Sequence, residues 1–238
     1  PHTRQPVRRL KARAVFDLIV NHAWKNGEPG VIFMDRINQA HPLPEVIEAT
    51  NPCGEQPLLP YESCNLGSVN LSRFVDRGEV EWDRLAETVC LAVRFLDDVI
   101  EVNHFPHRLM RDATLKTRKI GLGVMGFAEM LIKMNISYSS KDALRVAEET
   151  MSFVSKEARE ESRRLGRARG SFPLFERSSL EGDAMRNATV TTIAPTGSIS
   201  MIAGTSPGIE PLFALSFVRD LLGKKTVIAS PLFERMAK

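Results

Sequence analysis

Asn51-Pro52-Cys53-Gly54-Glu55-Gln56-Pro57-Leu58-Leu59, followed by Tyr61-Glu62-Ser63-Cys64-Asn65-Leu66-Gly67-Ser68, is the stretch on which the reading of this chain turns. An amide, a thiol and a carboxylate stand at alternate positions 51, 53 and 55, and a second thiol follows eleven residues after the first. Pro52 favours an extended backbone for the residues before it, and alternate side chains of an extended segment share one side. A thiol there can give a hydrogen atom or carry a sulfur radical. A carboxylate takes a proton, and an amide holds a hydroxyl or a developing oxyanion. Cys64 is suited to reduction rather than attack. The spacing alone also accommodates a small buried thiol with no chemistry. It does not suit zinc, because Cys-x-x-Cys is missing and His41 is the only histidine nearby.

Working outward, prolines and glycines recur from 38 to 70 (Pro42, Pro44, Pro52, Gly54, Pro57, Pro60, Gly67), and neither helical nor strand periodicity survives. This predicts a long structured loop, of the kind that often carries function. Before it, Val7, Leu10, Ala14, Leu18 and Ala23 predict a helix ended by Asn26-Gly27, and Val31-Ile32-Phe33-Met34 predicts a short buried strand. After it, Asp83 is read as the cap of a helix with Leu85, Val89, Ala92, Leu96 and Val99 as its apolar stripe. Residues 120–133 read as glycine-punctuated and helical after Gly126. Ser139 and Asp142 predict a capping box for a long helix running to about Gly166. Thr189 to Ile193 reads as a strand of β-branched residues, and Ser230-Pro231 as a further helix start. Alternating helices and strands predict an α/β class. Trp24 and Trp82 are read as packing anchors, and Cys90 as an inert, helix-packed thiol. His104 and His107 are read as surface or helix-end residues rather than ligands.

A second constellation lies at Ala194-Pro195-Thr196-Gly197-Ser198-Ile199-Ser200. A strand, a tight turn and a helix start would present free backbone N–H groups beside the hydroxyls of Thr196, Ser198 and Ser200, which suits a phosphate. No lysine is present, so this is not a Walker loop. A capped helix without a ligand fits the same residues. Gly121-Leu122-Gly123-Val124-Met125-Gly126 matches a dinucleotide fingerprint in letters only. Leu115-Lys116-Thr117-Arg118-Lys119 is too charged for the required buried strand, and close helix packing is the expected use of these glycines.

The 238 residues include 32 Lys and Arg against 29 Asp and Glu, a net charge of +3 interleaved along the chain. That balance gives no argument for DNA binding. Three cysteines make no disulfide framework, and a reducing cytoplasm is the expectation. No membrane span or targeting segment is legible, and the basic opening at Pro1 without a Met reads as a fragment of something longer.

Read together, the stretch from Asn51 to Ser68 resembles the active-site finger loop of adenosylcobalamin-dependent (class II) ribonucleotide reductases. Arg118-Lys119-Ile120-Gly121-Leu122-Gly123-Val124-Met125-Gly126 is similar to another block of that family. So are Ala194 to Ser200 running on to Gly208-Ile209-Glu210-Pro211, and Pro29-Gly30-Val31-Ile32-Phe33-Met34-Asp35-Arg36-Ile37-Asn38. The blocks fall in the family's order, from about Ala14 to Phe213. The resemblance implies one domain, 1–238, forming part of a ten-stranded α/β barrel around a central finger loop (about 50–70), with a phosphate-binding turn at about 194–200. It implies Cys53 as the thiyl residue, Glu55 as the base at the 3′-hydroxyl, Asn51 as a hydroxyl-binding amide, and Cys64 as half of a redox-active thiol pair. Thr196, Gly197, Ser198 and Ile199 would hold the substrate phosphates. Adenosylcobalamin as cofactor, a ribonucleotide (by expectation a diphosphate) as substrate, a thioredoxin-type reductant and a possible homodimer follow from the same resemblance, with no direct nucleic-acid or membrane partner. The cysteine that should pair with Cys64 has no counterpart before Cys53, and the C-terminal dithiol is absent. The fragment alone is therefore expected to be inactive. A class I large chain shares Asn-x-Cys-x-Glu, and a non-catalytic nucleotide-binding module remains as a different class of reading. The catalytic reading requires the Cys53 sulfur to protrude into an enclosed interior, near a sugar whose phosphates rest by Gly197.

Overall fold

Two parallel strands, β3 (Asn65–Asn70) and β6 (Ile120–Met125), hold the centre of the molecule in a computed structural model that describes Pro6, 8–221, 223–229 and Leu232. Their register runs from Asn65 opposite Ile120 to Asn70 opposite Met125. A third segment extends this sheet in the same sense. Ile120 N–H donates to Thr189 O (3.1 Å), Leu122 N–H to Val190 O (2.8 Å) and Thr192 N–H to Leu122 O (3.1 Å). The strand expected at 189–193 is thus present as a backbone ladder, with a formal parallel bridge only at Leu122–Thr191.

One long helix covers this sheet and a second packs on that helix. Helix α3 (Trp82–Val102) buries Leu85, Val89, Val93, Leu96 and Ile100, spaced at three and four residues as a core-facing stripe requires. Asp83 stands in its first turn and Glu81 takes the cap position. Helix α6 (Lys141–Arg169) packs on α3 and buries Val146, Val154, Ala158 and Leu165. Ser140, one residue later than the expected cap, accepts the Ala143 N–H at 3.1 Å. The Trp82 and Phe153 rings meet at 4.8 Å between centroids, so the anchor reading of Trp82 holds. Between α3 and β6, helix α4 (Arg108–Thr117) starts where the His107 ring nitrogen Nδ1 accepts the Leu109 N–H, the helix-end role expected.

Before the sheet come α1 (Ala12–Asn26), α2 (Met34–Ala40) and the short antiparallel pair β1 (Ala49–Thr50) and β2 (Pro57–Leu58). After β3, β4 (Val75–Asp76) pairs antiparallel with β5 (Glu79–Val80), and α5 (Phe127–Lys133) follows β6. Helix α7 (Gly197–Ala203) and a hairpin of β7 (Ser216–Leu221) with β8 (Lys224–Ala229) complete the described chain.

Several expectations are corrected. Residues 31–33 form no strand: Val31, Ile32 and Phe33 are exposed, and α2 starts at Met34. An apolar run becomes a strand only where a neighbour takes its backbone groups, and none of the described segments lies beside it. Trp24 is 86 % exposed and anchors nothing here, and α1 buries no residue. The glycines at 121 and 123 lie in a fully buried strand rather than at a helix contact. A Cβ on Gly121 would overlap Gln56 and Leu66, and one on Gly123 would lie 2.6 Å from Thr192 O. They let the flanking segments approach. The ten-stranded barrel is not seen: the content is mixed α/β, and the described residues form four two-stranded sheets with no closed barrel. Val7 and the helix start at Ser230-Pro231 lie outside the described residues.

Candidate functional site: a hairpin tip, a strained turn and a half-buried thiol

Residues 51–56 form the tip that joins β1 to β2. Asn51 N–H donates to Gln56 O (3.2 Å), Gln56 N–H donates to Asn51 Oδ1 (2.9 Å), and Gly54 N–H donates to Asn51 O (3.0 Å). Gly54 has φ +85°, a conformation that glycine adopts without steric cost. The tip is therefore a tight turn and not the extended segment expected. Asn51 spends its oxygen on the turn. Cys53 is exposed at the turn, so the enclosed interior is not formed by the described residues. Glu55 differs from its neighbours: its Oε2 is buried and has no hydrogen-bond partner. A buried carboxylate oxygen left unpaired is costly, and such atoms concentrate where a ligand or reaction supplies the partner.

The phosphate-turn candidate is tied to this tip. Thr192 Oγ1 donates to Glu55 O at 2.8 Å, so the segment leading to Thr196 is bonded to the hairpin. Thr196 has φ +104°, a rare conformation for a β-branched residue. Its hydroxyl holds the strain by donating to Pro195 O (3.0 Å) and accepting the Gly208 N–H (2.8 Å). Gly197, Ser198 and Ile199 are exposed at the start of α7, and Ser200 is buried. Gly208 fits only as glycine, since a Cβ would lie 2.9 Å from Ala194 O.

Cys64 sits apart from the tip, immediately before β3, with its sulfur 3.6 Å from Asn65 O. Burial and the Glu62 carboxylate push its thiol up to about 12, against a smaller opposing effect of Lys119. Cys90 is half-buried beside Arg164 (3.8 Å), its thiol raised mainly by burial, in keeping with an inert role. Among the described residues no three His, Cys, Asp or Glu side chains come together as a metal site, and no helix is long and apolar enough to cross a membrane.

Sequence reasoning missed two buried ionic clusters behind the site. Arg118 and Lys119, read as too charged to precede a buried strand, are themselves buried. Lys119 Nζ donates to Glu62 Oε2 at 2.8 Å, and Thr117 Oγ1 donates to Glu62 Oε1. Arg118 pairs with Asp97 Oδ1 at 2.8 Å; Arg169, Arg186 and Asn187 donate to the same carboxylate. Their partners lie too far along the chain for any local pattern to show them.

The family model for the ribonucleotide reductase barrel domain matches residues 2–184 and 177–238, and the chain belongs to that family. It is 54 % identical, over its whole length, to a vitamin B12-dependent ribonucleoside-diphosphate reductase of Thermoplasma acidophilum, of which it covers 32 %. A protein of the same name from Mycobacterium tuberculosis is 50 % identical over the whole chain, which covers 35 % of it. A ribonucleoside-diphosphate reductase subunit alpha of Chlamydia pneumoniae is 28 % identical over 96 % of the chain and 26 % of the relative. The chain thus spans about a third of the length of the first two relatives.

Proposed function

We propose that this chain is part of an adenosylcobalamin-dependent ribonucleoside-diphosphate reductase, which makes deoxyribonucleotides for DNA synthesis. Its residues 1–238 would contribute the finger loop (50–70) and phosphate turn (194–200) to one ten-stranded barrel domain. The observation that carries this reading is the Thr192 Oγ1 to Glu55 O bond, which couples the tip bearing Asn51, Cys53 and Glu55 to the segment delivering Thr196, Gly197, Ser198 and Ile199.

The ribose would lie between the two. Backbone N–H groups at Gly197, Ser198 and Ile199, with the Thr196 turn, receive the phosphates. Asn51 Nδ2 holds a ribose hydroxyl. Cys53, as a thiyl radical, takes the 3′-hydrogen, and Glu55 takes the 3′-hydroxyl proton on the oxygen that has no protein partner. The 2′-hydroxyl then leaves as water, and Cys64 supplies one of the two thiols whose oxidation to a disulfide balances the reduction. Adenosylcobalamin fits the exposure of Cys53, the residue of this chain that would meet it, and when bound it supplies the radical that removes the thiol hydrogen. A thioredoxin-type reductant, a cytoplasmic location and a homodimer complete the proposal.

The test is Cys53→Ser in the full-length protein. Loss of nucleotide reduction with nucleotide binding retained is expected; unchanged reduction would leave a nucleotide-binding module in its place. The 238 residues alone are expected to show no turnover. The higher identity to the B12-dependent relatives than to the subunit alpha favours a cobalamin enzyme. A full-length protein that needs a separate radical-generating subunit would reverse that assignment.

A further inference from the structure

Cys64 and Lys119 immediately precede the first paired residues of the β3–β6 ladder, Asn65 and Ile120, so both enter the sheet at the same end. Lys119 is 1 % exposed, and its ammonium is held by the Glu62 carboxylate, two residues before Cys64. Glu62 in turn accepts three donors: Lys119 Nζ, Thr117 Oγ1 and the Leu59 N–H at 2.7 Å. The intervening Ser63 is pinned through its N–H and hydroxyl to Thr114 Oγ1, at 3.0 and 2.8 Å. His41, in the loop after α2, feels the same Lys119 and Glu62 charges, and its buried Nε2 has no partner. Its Nδ1–H donates to Leu43 O at 3.1 Å, so Nε2 carries the free lone pair.

A buried ion pair is a poor way to gain stability, because desolvation offsets most of the attraction and an apolar pair of equal volume does as well. This pair is nevertheless built with every Glu62 oxygen satisfied, beside a thiol the proposed reaction uses. We propose that Glu62 and Lys119 are the positioning pair of Cys64: they fix its segment against β6 and, with burial, hold its sulfur as a hydrogen-bearing thiol ready to be oxidised. The charged groups concerned are Glu62 on the cysteine's own segment and Lys119 just before β6. His41 faces the pair from the loop after α2. The assignment rests on the reading of Cys64 as an electron-carrying thiol.

The Cβ resonance of Cys64, followed by NMR in the full-length protein as pH is raised, tests it. In the unaltered protein the signal is expected to stay that of a thiol beyond about pH 10. Glu62→Gln removes the anion and leaves the cation, so its midpoint should fall by at least about one pH unit. Lys119→Met removes the cation and should not lower the midpoint. Loosened packing would act in the same direction in both variants, so opposite behaviour identifies the charges as the cause. Equal shifts in the two variants, or a Glu62→Gln midpoint equal to that of the unaltered protein, overturn the proposal. Should Glu62→Gln not fold, the unaltered protein still decides: a midpoint near the ordinary thiol value overturns it. Reductase activity undiminished in Cys64→Ser, alongside the expected titrations, would remove the functional reading and leave the pair's control of the thiol standing.

Discussion

The Glu55 and Asp97 carboxylates, on the hairpin tip and in the helical layer, are treated in opposite ways by the structure. Asp97 is 0 % exposed and takes donors from Arg118, Arg169, Arg186 and Asn187, a complete shell that ties α3 to the ends of α4 and α6 and to the segment entering the sheet. Glu55 has one buried oxygen with no donor at all. A satisfied buried charge belongs to the architecture, and removing it leaves its partners stranded. An unsatisfied one costs stability and persists where something outside the fold completes it.

That contrast can be attacked directly. The largest stability loss is expected for Asp97→Ala, which leaves Arg118 and Arg186 with only the exposed Glu101 carboxylate as their anion. Urea unfolding should show a loss of roughly 3–5 kcal/mol, and a loss below 1 would mean the network relaxes to solvent. Gly123→Ala comes next. Its Cβ would press on Thr192 O at 2.6 Å, and the segment must move. A cost of about 1–3 kcal/mol is expected, together with weakened nucleotide binding, because Thr192 also holds Glu55. Binding unchanged at reduced stability would break the link between the two halves of the site. Glu55→Gln should be close to neutral or slightly stabilising, within about 1 kcal/mol, while full-length turnover drops on the order of 10²- to 10⁴-fold. Equal losses in stability and activity would place Glu55 in the architecture with Asp97.

The smallest effect concerns His41, whose titration is lowered from 6.5 chiefly by burial and then by Lys119. A group with a depressed folded value binds its proton more readily when unfolded, so its contribution is present above 6.5 and is lost as pH falls below it. His41→Gln should flatten the acid side of the stability curve measured by thermal melts. An identical slope in the variant would assign that loss to other groups.

Legibility followed the range of the interactions. The α3 stripe of Leu85, Val89 and Leu96 and the end of α1 at Gly27 were readable because helical periodicity and caps are settled within a few residues. The turn before α7 was readable for the same reason. The run Val31-Ile32-Phe33 misled, since apolar character says nothing about whether a partner strand is at hand. Arg118 and Lys119 misled in the other direction: charge argued for surface, and buried carboxylates overruled it.

The amino-acid order alone determined α1, α3, α5, α6 and α7, the turn at Thr196 and the family motifs around Cys53, because each is written in neighbouring residues. Folding decided which strand lies against β3, that the Cys53 turn is tight rather than extended, and that Glu62 meets Lys119 across 57 positions and Asn187 meets Asp97 across 90. Those outcomes depend on packing and on the cost of leaving a buried charge unpaired, and neither is encoded in any short window of the chain.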